Sequence, residues 1–162
     1  MARAEASLSW VTPGRIAFFA VAVIVFVLDR ITKTIVGATI PYGGEVQFLG
    51  GLVSITNIRN SGAAFGFAPA GAGFFLVAAI VVAVALVIYV ARQPSDLPTD
   101  AILGLILGGT VGNVYDRVAF GSVTDFVNLH FWPVFNVADS CISVGVAALV
   151  LGYFIRRPNN AA

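Results

Sequence analysis

The feature that most constrains this chain is an apolar run at residues 74–91, which is 18 residues long and contains no charged side chain. A run of this kind is long enough to cross the hydrocarbon layer of a membrane as a helix. Three other apolar segments, at 16–28, 101–115 and 140–155, are shorter or continue into polar residues. Because helices satisfy their own backbone hydrogen bonds inside a bilayer, we predict four membrane-spanning helices. Their expected bounds are 15–36, 73–91, 100–117 and 137–156.

The composition supports a membrane protein and excludes several other classes. Hydrophobic residues make up 59% of the chain and charged residues 10%, whereas soluble domains carry about 25% charged residues. A net charge of +1 provides no basic surface for nucleic acid. One cysteine, Cys141, and one histidine, His130, argue against an internal disulfide and against a Cys- or His-rich metal centre. We therefore expect no metal, no cofactor and no nucleic-acid partner.

The segment 37–72, between the first two predicted helices, differs from the rest in being rich in glycine. Its middle part has β-branched and aromatic residues interrupted at Gly50-Gly51, which predicts a small hairpin or sheet. Lys and Arg divide five to four in favour of cytoplasmic N- and C-termini, so this segment is expected to be extracytoplasmic. The predicted architecture is a single membrane-embedded domain over residues 1–162, with an all-α core of four transmembrane helices.

Under this topology, most polar residues next to the helices lie at one level, the outer membrane surface. Ionisable groups at membrane depth are costly, and they are therefore candidates for function. The residues concerned are Asp29, Arg30, Lys33, Asn57, Arg59, Asn60, Asn113, Asp116, Arg117, Asn136 and Asp139.

Two of these pairs also have a purely structural explanation. Asp29 and Lys33 are four residues apart, which favours an ion pair at the end of a helix over a functional role. Asn136 and Asp139 have the spacing of a helix N-cap and the third helical residue. For Asp139, capping and function both remain open at this stage.

A glycine series in the third predicted helix also has two explanations. Gly104, Gly108 and Gly112 are spaced by four and therefore share one helix face. Close packing of a neighbouring helix is the favoured interpretation, and space for a substrate helix is the second.

Three aspartates, Asp116, Asp125 and Asp139, are candidates for acid–base chemistry at the outer surface. Two carboxylates in one site do not ionise together easily, so such a pair retains a proton and can activate water. Asp116 is followed by Arg117, whose charge would keep it ionised, while the other two acids have no adjacent cation. We therefore predict that Asp125 and Asp139 form the pair, with Asp116 and Arg117 in support. Pro133 favours a chain reversal between them.

The motifs together resemble the lipoprotein signal peptidases, also called signal peptidase II. The similar stretches are DRITK at 29–33, NIRNSGAAFG at 57–66, GGTVGNVYDR at 108–117, VTDF at 123–126 and FNVAD at 135–139. They occur in the family's order and extend over most of the chain.

The resemblance implies a four-helix membrane aspartyl endopeptidase of the bacterial inner membrane with a small extracytoplasmic β cradle. Such enzymes cut prolipoproteins on the amino side of a diacylglyceryl-modified cysteine, need no cofactor and are inhibited by globomycin. The resemblance makes Asp125 and Asp139 catalytic. The implied substrate-binding or supporting residues are Asn57, Asn60, Asn113, Asp116, Arg117 and Asn136, and the structural ones are Asp29, Lys33, Gly108 and Gly112. Membrane lipid is an expected partner, and a monomer is the expected state.

Two other classes of function remain as alternatives. A small proton-coupled transporter could use the same acids as a relay. Against this, the polar residues cluster at one face, and 74–91 carries no charge. The second alternative is a non-catalytic membrane scaffold. In that case the paired aspartates would have no role except as helix caps.

Overall fold

The computed structural model describes residues 10–62 and 71–156. These residues form four long helices and one three-stranded sheet. The helices are α1 (Pro13–Thr39), α2 (Gly71–Arg92), α3 (Leu97–Phe120) and α4 (Val137–Arg156), and the strands are β1 (Glu45–Phe48), β2 (Val53–Asn60) and β3 (Val123–Asn128). Residues 63–66 of the similar motif lie outside the described residues.

Three of the helices are long and apolar enough to cross a membrane: Gly73–Arg92, Leu97–Phe120 and Val137–Ile155. α1 has 27 residues but does not belong to this set. Its apolar stretch between Arg15 and Asp29 covers only about 20 Å of helix, against about 30 Å of hydrocarbon. A membrane position for α1 therefore has to accommodate charged groups in its second half.

The ends of α1 and α3 extend beyond their predicted bounds because each has a cap. Thr12 accepts a hydrogen bond from the Arg15 amide at 3.3 Å, and Pro13 follows it at the first helical position. In α3, Asp96 caps the first turn, and Gly121, in the left-handed region at φ 73°, ends the helix.

The glycine face of α3 is filled by α1. A Cβ atom on Gly104 would lie 2.5 Å from the main-chain oxygen of Phe18, and one on Gly108 would lie 2.5 Å from that of Ala22. At Gly112 the obstruction is a carboxylate oxygen of α1 at 2.7 Å. The series therefore permits close helix packing. The alternative, that this face admits a substrate helix, is wrong because the space is taken.

The sheet has the strand order β1-β2-β3 and is antiparallel throughout. The hairpin predicted around Gly50-Gly51 is confirmed, with a 3₁₀ turn at Leu49–Gly51 and both glycines at positive φ. β3 has no counterpart among the predicted elements, because no strand is predicted between the helices expected at 100–117 and 137–156. Its first four residues, 123–126, are all buried, so the sequence lacks the alternation of apolar and polar residues that indicates a strand.

Candidate active site

Asp125 lies in the middle of β3 and is only 2% exposed. Its Oδ1 accepts a hydrogen bond from Asn136 Nδ2 at 2.7 Å, and its Oδ2 accepts one from Asn60 Nδ2 at 2.9 Å. Burial raises the pKa of Asp125 to about 6. The negative charge of Asp139 raises this pKa as well, whereas the two amide hydrogen bonds and the charge of Lys33 lower it. This carboxyl group is thus poised to exchange a proton near neutral pH.

Asp139 is the third residue of α4 and takes part in a capping box with Asn136. The Asp139 amide donates to Asn136 Oδ1 at 2.9 Å, and the Asn136 amide donates to Asp139 Oδ2 at 3.3 Å. The predicted cap is therefore confirmed. The same carboxylate also accepts from Asn113 Nδ2 at 2.7 Å, so its capping role does not remove it from the site.

The two carboxylates are held from one buried residue, Asn136, which is 0% exposed. Its side-chain nitrogen contacts Asp125, while its backbone nitrogen and side-chain oxygen contact Asp139. The predicted chain reversal between the two acids is present. It is fixed by backbone hydrogen bonds in both directions between Val127 and Phe135, at 2.8 and 3.1 Å.

A second asparagine, Asn113, connects the site to α1. Its Oδ1 accepts from Lys33 Nζ at 3.0 Å, and this orients its amide nitrogen towards Asp139. Lys33 also forms ion pairs with Asp29 at 3.0 Å and with Asp116 at 2.9 Å, so the predicted Asp29–Lys33 pair is confirmed.

Asp116 has different partners from those the sequence suggested. It is paired with Arg30 and Lys33 of α1, and it accepts a hydrogen bond from the Thr124 amide at 3.0 Å. The prediction that it pairs with Arg117 is therefore corrected. Consecutive residues on a helix point in different directions, so proximity in sequence did not give proximity in space.

Arg117 forms no ion pair within 4.0 Å among the described residues. Its charge is attracted by Asp139, Asp125 and Asp116 alike. Its Nη1 donates to the Asn113 carbonyl at 3.4 Å, and its buried Nε has no acceptor among the described residues. Arg117 and Lys33 therefore both contribute positive charge near Asp125 and Asp139.

Arg30 is a further residue whose place the sequence did not indicate. It bridges Asp29 and Asp116 with 19% of its side chain exposed. Asp29 in turn accepts from the Ala138 amide at 3.2 Å and so holds the first turn of α4. The sequence feature that could have indicated this role is the close spacing of three charged residues, at 29, 30 and 33, in α1.

Asn57, by contrast, lies in β2 at the open end of the hairpin. Its side chain donates to the Ile40 carbonyl at 2.8 Å, and within the described ranges no hydrogen bond joins it to either site aspartate. Those ranges also contain no group of three or more His, Cys, Asp or Glu side chains able to hold a metal ion. The site itself brings together two carboxyl groups, each bound by asparagine amides.

Two aspartates bound to one buried asparagine, next to helices that can cross a membrane, form the arrangement expected of a membrane aspartic peptidase. Comparison with known proteins agrees with this class. The family model described as Signal peptidase (SPase) II matches residues 21–155. The chain belongs to this family of aspartic peptidases.

Individual relatives match along most of the chain. A lipoprotein signal peptidase of Symbiobacterium thermophilum is 42% identical over 137 residues, which is 80% of this chain and 89% of that protein. A lipoprotein signal peptidase of Pseudomonas aeruginosa is 36% identical over 159 residues, which is 92% of this chain and 94% of that protein. A solved structure described as a bacterial membrane enzyme superposes with a TM-score of 0.80 at 30% identity, and covers 88% of this chain and 90% of the other.

Proposed function

We propose that this protein is a membrane endopeptidase that removes signal peptides from prolipoproteins, cutting on the amino side of the diacylglyceryl-modified cysteine. Family membership and the lipoprotein signal peptidases of similar length support the substrate class. The observation that carries the chemistry is the pair of aspartates, Asp125 and Asp139, bound to the two ends of one asparagine.

In the proposed reaction, the two carboxyl groups share one proton. The ionised group removes a proton from water, and the water oxygen attacks the scissile carbonyl carbon. The protonated group gives its proton to the carbonyl oxygen, and a neutral gem-diol results. Breakdown of the diol returns a proton to the leaving amine as the C–N bond breaks, so no covalent enzyme intermediate forms.

The supporting residues have distinct proposed roles. Asn60, Asn113 and Asn136 orient the carboxylates, because each donates a hydrogen bond to one of them. Arg117 contributes positive charge near both acids and is suited to hold a substrate carbonyl. Asn57 acts on substrate only through the hairpin that it stabilises. Asp116 supports β3 through the Thr124 amide and does not take part in proton transfer.

We further propose that all four helices span the bacterial inner membrane, with both termini cytoplasmic and the site near the outer face. For α1 this is supported by pairing of its buried charged groups, since Lys33 is bonded to α3 and Asp29 is bonded to Lys33 and to the first turn of α4. The segment 37–72 is then extracytoplasmic. Single cysteines introduced at exposed Tyr42 and Gln93, in a Cys141→Ser background, test this topology: an impermeant thiol reagent added to intact cells should label the first and not the second.

The test of the activity compares two forms of one prolipoprotein, with and without the diacylglyceryl group. We expect the purified protein to cleave only the lipidated form and globomycin to block this cleavage. Absence of cleavage of the lipidated form would contradict the peptidase proposal. The same preparation in proteoliposomes tests the rival function, since a proton-coupled transporter would produce proton flux and a peptidase would not.

A further inference from the structure

A cavity of about 480 Å³ lies between α1, α3 and the sheet. Arg59 of β2 and Thr124 of β3 line it, and they are partners across the two strands. Side chains alternate between the two faces of a strand, so Asn60 and Asp125, which follow them in sequence, point to the other face. The cavity is thus separated from the aspartate site by the thickness of the sheet.

The cavity carries one positive charge in excess. Arg30 and Lys33 line it, but both are bonded to Asp29 and Asp116, and these four charges cancel. Arg59 is exposed and has no carboxylate within 4.0 Å among the described residues. A ligand with a single negative charge would balance it.

The mouth of the cavity is aromatic and continues into an apolar surface. The Arg30 guanidinium lies 4.8 Å from the ring centre of Tyr115, and that of Arg59 lies 5.1 Å from that of Phe120. One turn further from the sheet, Val23 of α1 and Val111 of α3 are exposed. Stacked arginines above apolar side chains suit a ligand with a charged head and hydrocarbon tails.

We propose that this cavity binds the phosphodiester headgroup of an anionic glycerophospholipid, with the acyl chains lying along α1 and α3. The phosphate oxygens accept hydrogen bonds from Arg59. The site is distinct from the peptidase chemistry, and its occupation is measured by lipid binding.

The experiment titrates the full-length protein in detergent with dioleoyl phosphatidylglycerol and counts bound lipid by native mass spectrometry. Arg59→Gln should weaken binding about fivefold, the loss expected for one cation at a membrane surface. Arg92→Gln is the matched control, because it removes the same charge from an exposed position at the end of α2. It should bind lipid as the wild type does.

A second variant tests the cavity without changing any charge. Gly37 lines the cavity, and nothing lies within 4 Å of a Cβ built on it. Gly37→Leu should therefore fill part of the space and reduce lipid binding while leaving Arg59 intact. Equal binding by all three variants and the wild type would overturn the proposal.

Two further ligands identify which part of the lipid is recognised. Dioleoylglycerol, which lacks the phosphate, should bind equally to the wild type and to Arg59→Gln. Inorganic phosphate should fail to displace the phospholipid. Displacement by inorganic phosphate would overturn the lipid assignment in favour of a soluble anion, and discrimination of dioleoylglycerol by the variant would overturn the role of the phosphate.

Discussion

Two pairs of aspartates lie where α1, α3, α4 and β3 meet, and they have opposite partners. Asp29 and Asp116 are bonded to two cations, Arg30 and Lys33, which neutralise them. Asp125 and Asp139 receive their side-chain hydrogen bonds from asparagine amides, which carry no charge. Asp125 is nearly as buried as the first pair, so the charge of the partners, and not burial alone, separates the two pairs.

The largest expected effect comes from neutralising the amide-bound pair. Asp125→Asn and Asp139→Asn should each lower kcat by about a thousandfold or more, because each removes a group that transfers a proton. The measurement is single-turnover cleavage of a lipidated prolipoprotein, with folding checked by thermal denaturation. Activity of either variant near the wild-type rate would contradict the assignment.

Substitution of an aspartate in the cation-bound pair should lower the stability of the protein and leave the rate of the chemical step largely unchanged. Asp116→Asn leaves Arg30 and Lys33 with a single carboxylate between them, and should lower the free energy of unfolding by about 3 kcal/mol. Its kcat per folded molecule should fall by no more than about tenfold. If the Asp116→Asn protein is well folded but as inactive as Asp125→Asn, the proposed distinction between the two pairs is wrong.

The pH dependence of stability tests the same distinction without substrate. Because the pKa of Asp125 is raised from 3.8 to about 6, folding favours its neutral form. The stability it contributes is therefore fully present below about pH 4 and is lost as the pH rises through about 6. Relative to Asp125→Asn, the wild type should lose up to about 3 kcal/mol between pH 4 and pH 7. A difference that stays constant with pH would refute the raised pKa.

The smallest effect is expected from one of the amides. Asn60→Ala removes a hydrogen bond that stabilises ionised Asp125, so the pKa of that group should rise further. The acidic limb of kcat/KM should then move up by roughly one pH unit. Asn128→Ala is the control, because Asn128 lies on β3 with Asp125 but its side chain accepts a hydrogen bond from the His130 amide instead. Its profile should match that of the wild type.

The sequence was sufficient to predict the helices, the hairpin and the two aspartates that the structure brings together. These predictions depend on composition, on the periodic spacing of residues and on the energetic cost of placing acidic side chains near a membrane. The hairpin was predictable because Gly50-Gly51 separates two runs of strand-forming residues.

The partners of individual charges could not be predicted in the same way. Arg117 follows Asp116 in the chain but forms no ion pair with it, whereas Arg30 binds Asp116 across 86 positions of the chain. Such contacts depend on how α1 packs against α3. β3 was missed for a related reason, since burial on both faces removes the pattern that marks a strand.

Asn136 begins α4 and also holds both aspartates. During synthesis Asp125 emerges 12 residues before the start of α4, the helix that supplies Asp139. Under the proposed mechanism the newly made chain is therefore inert until α4 has formed and docked against α3. The proposed proteolytic activity would then be acquired only as this helix takes its place in the membrane.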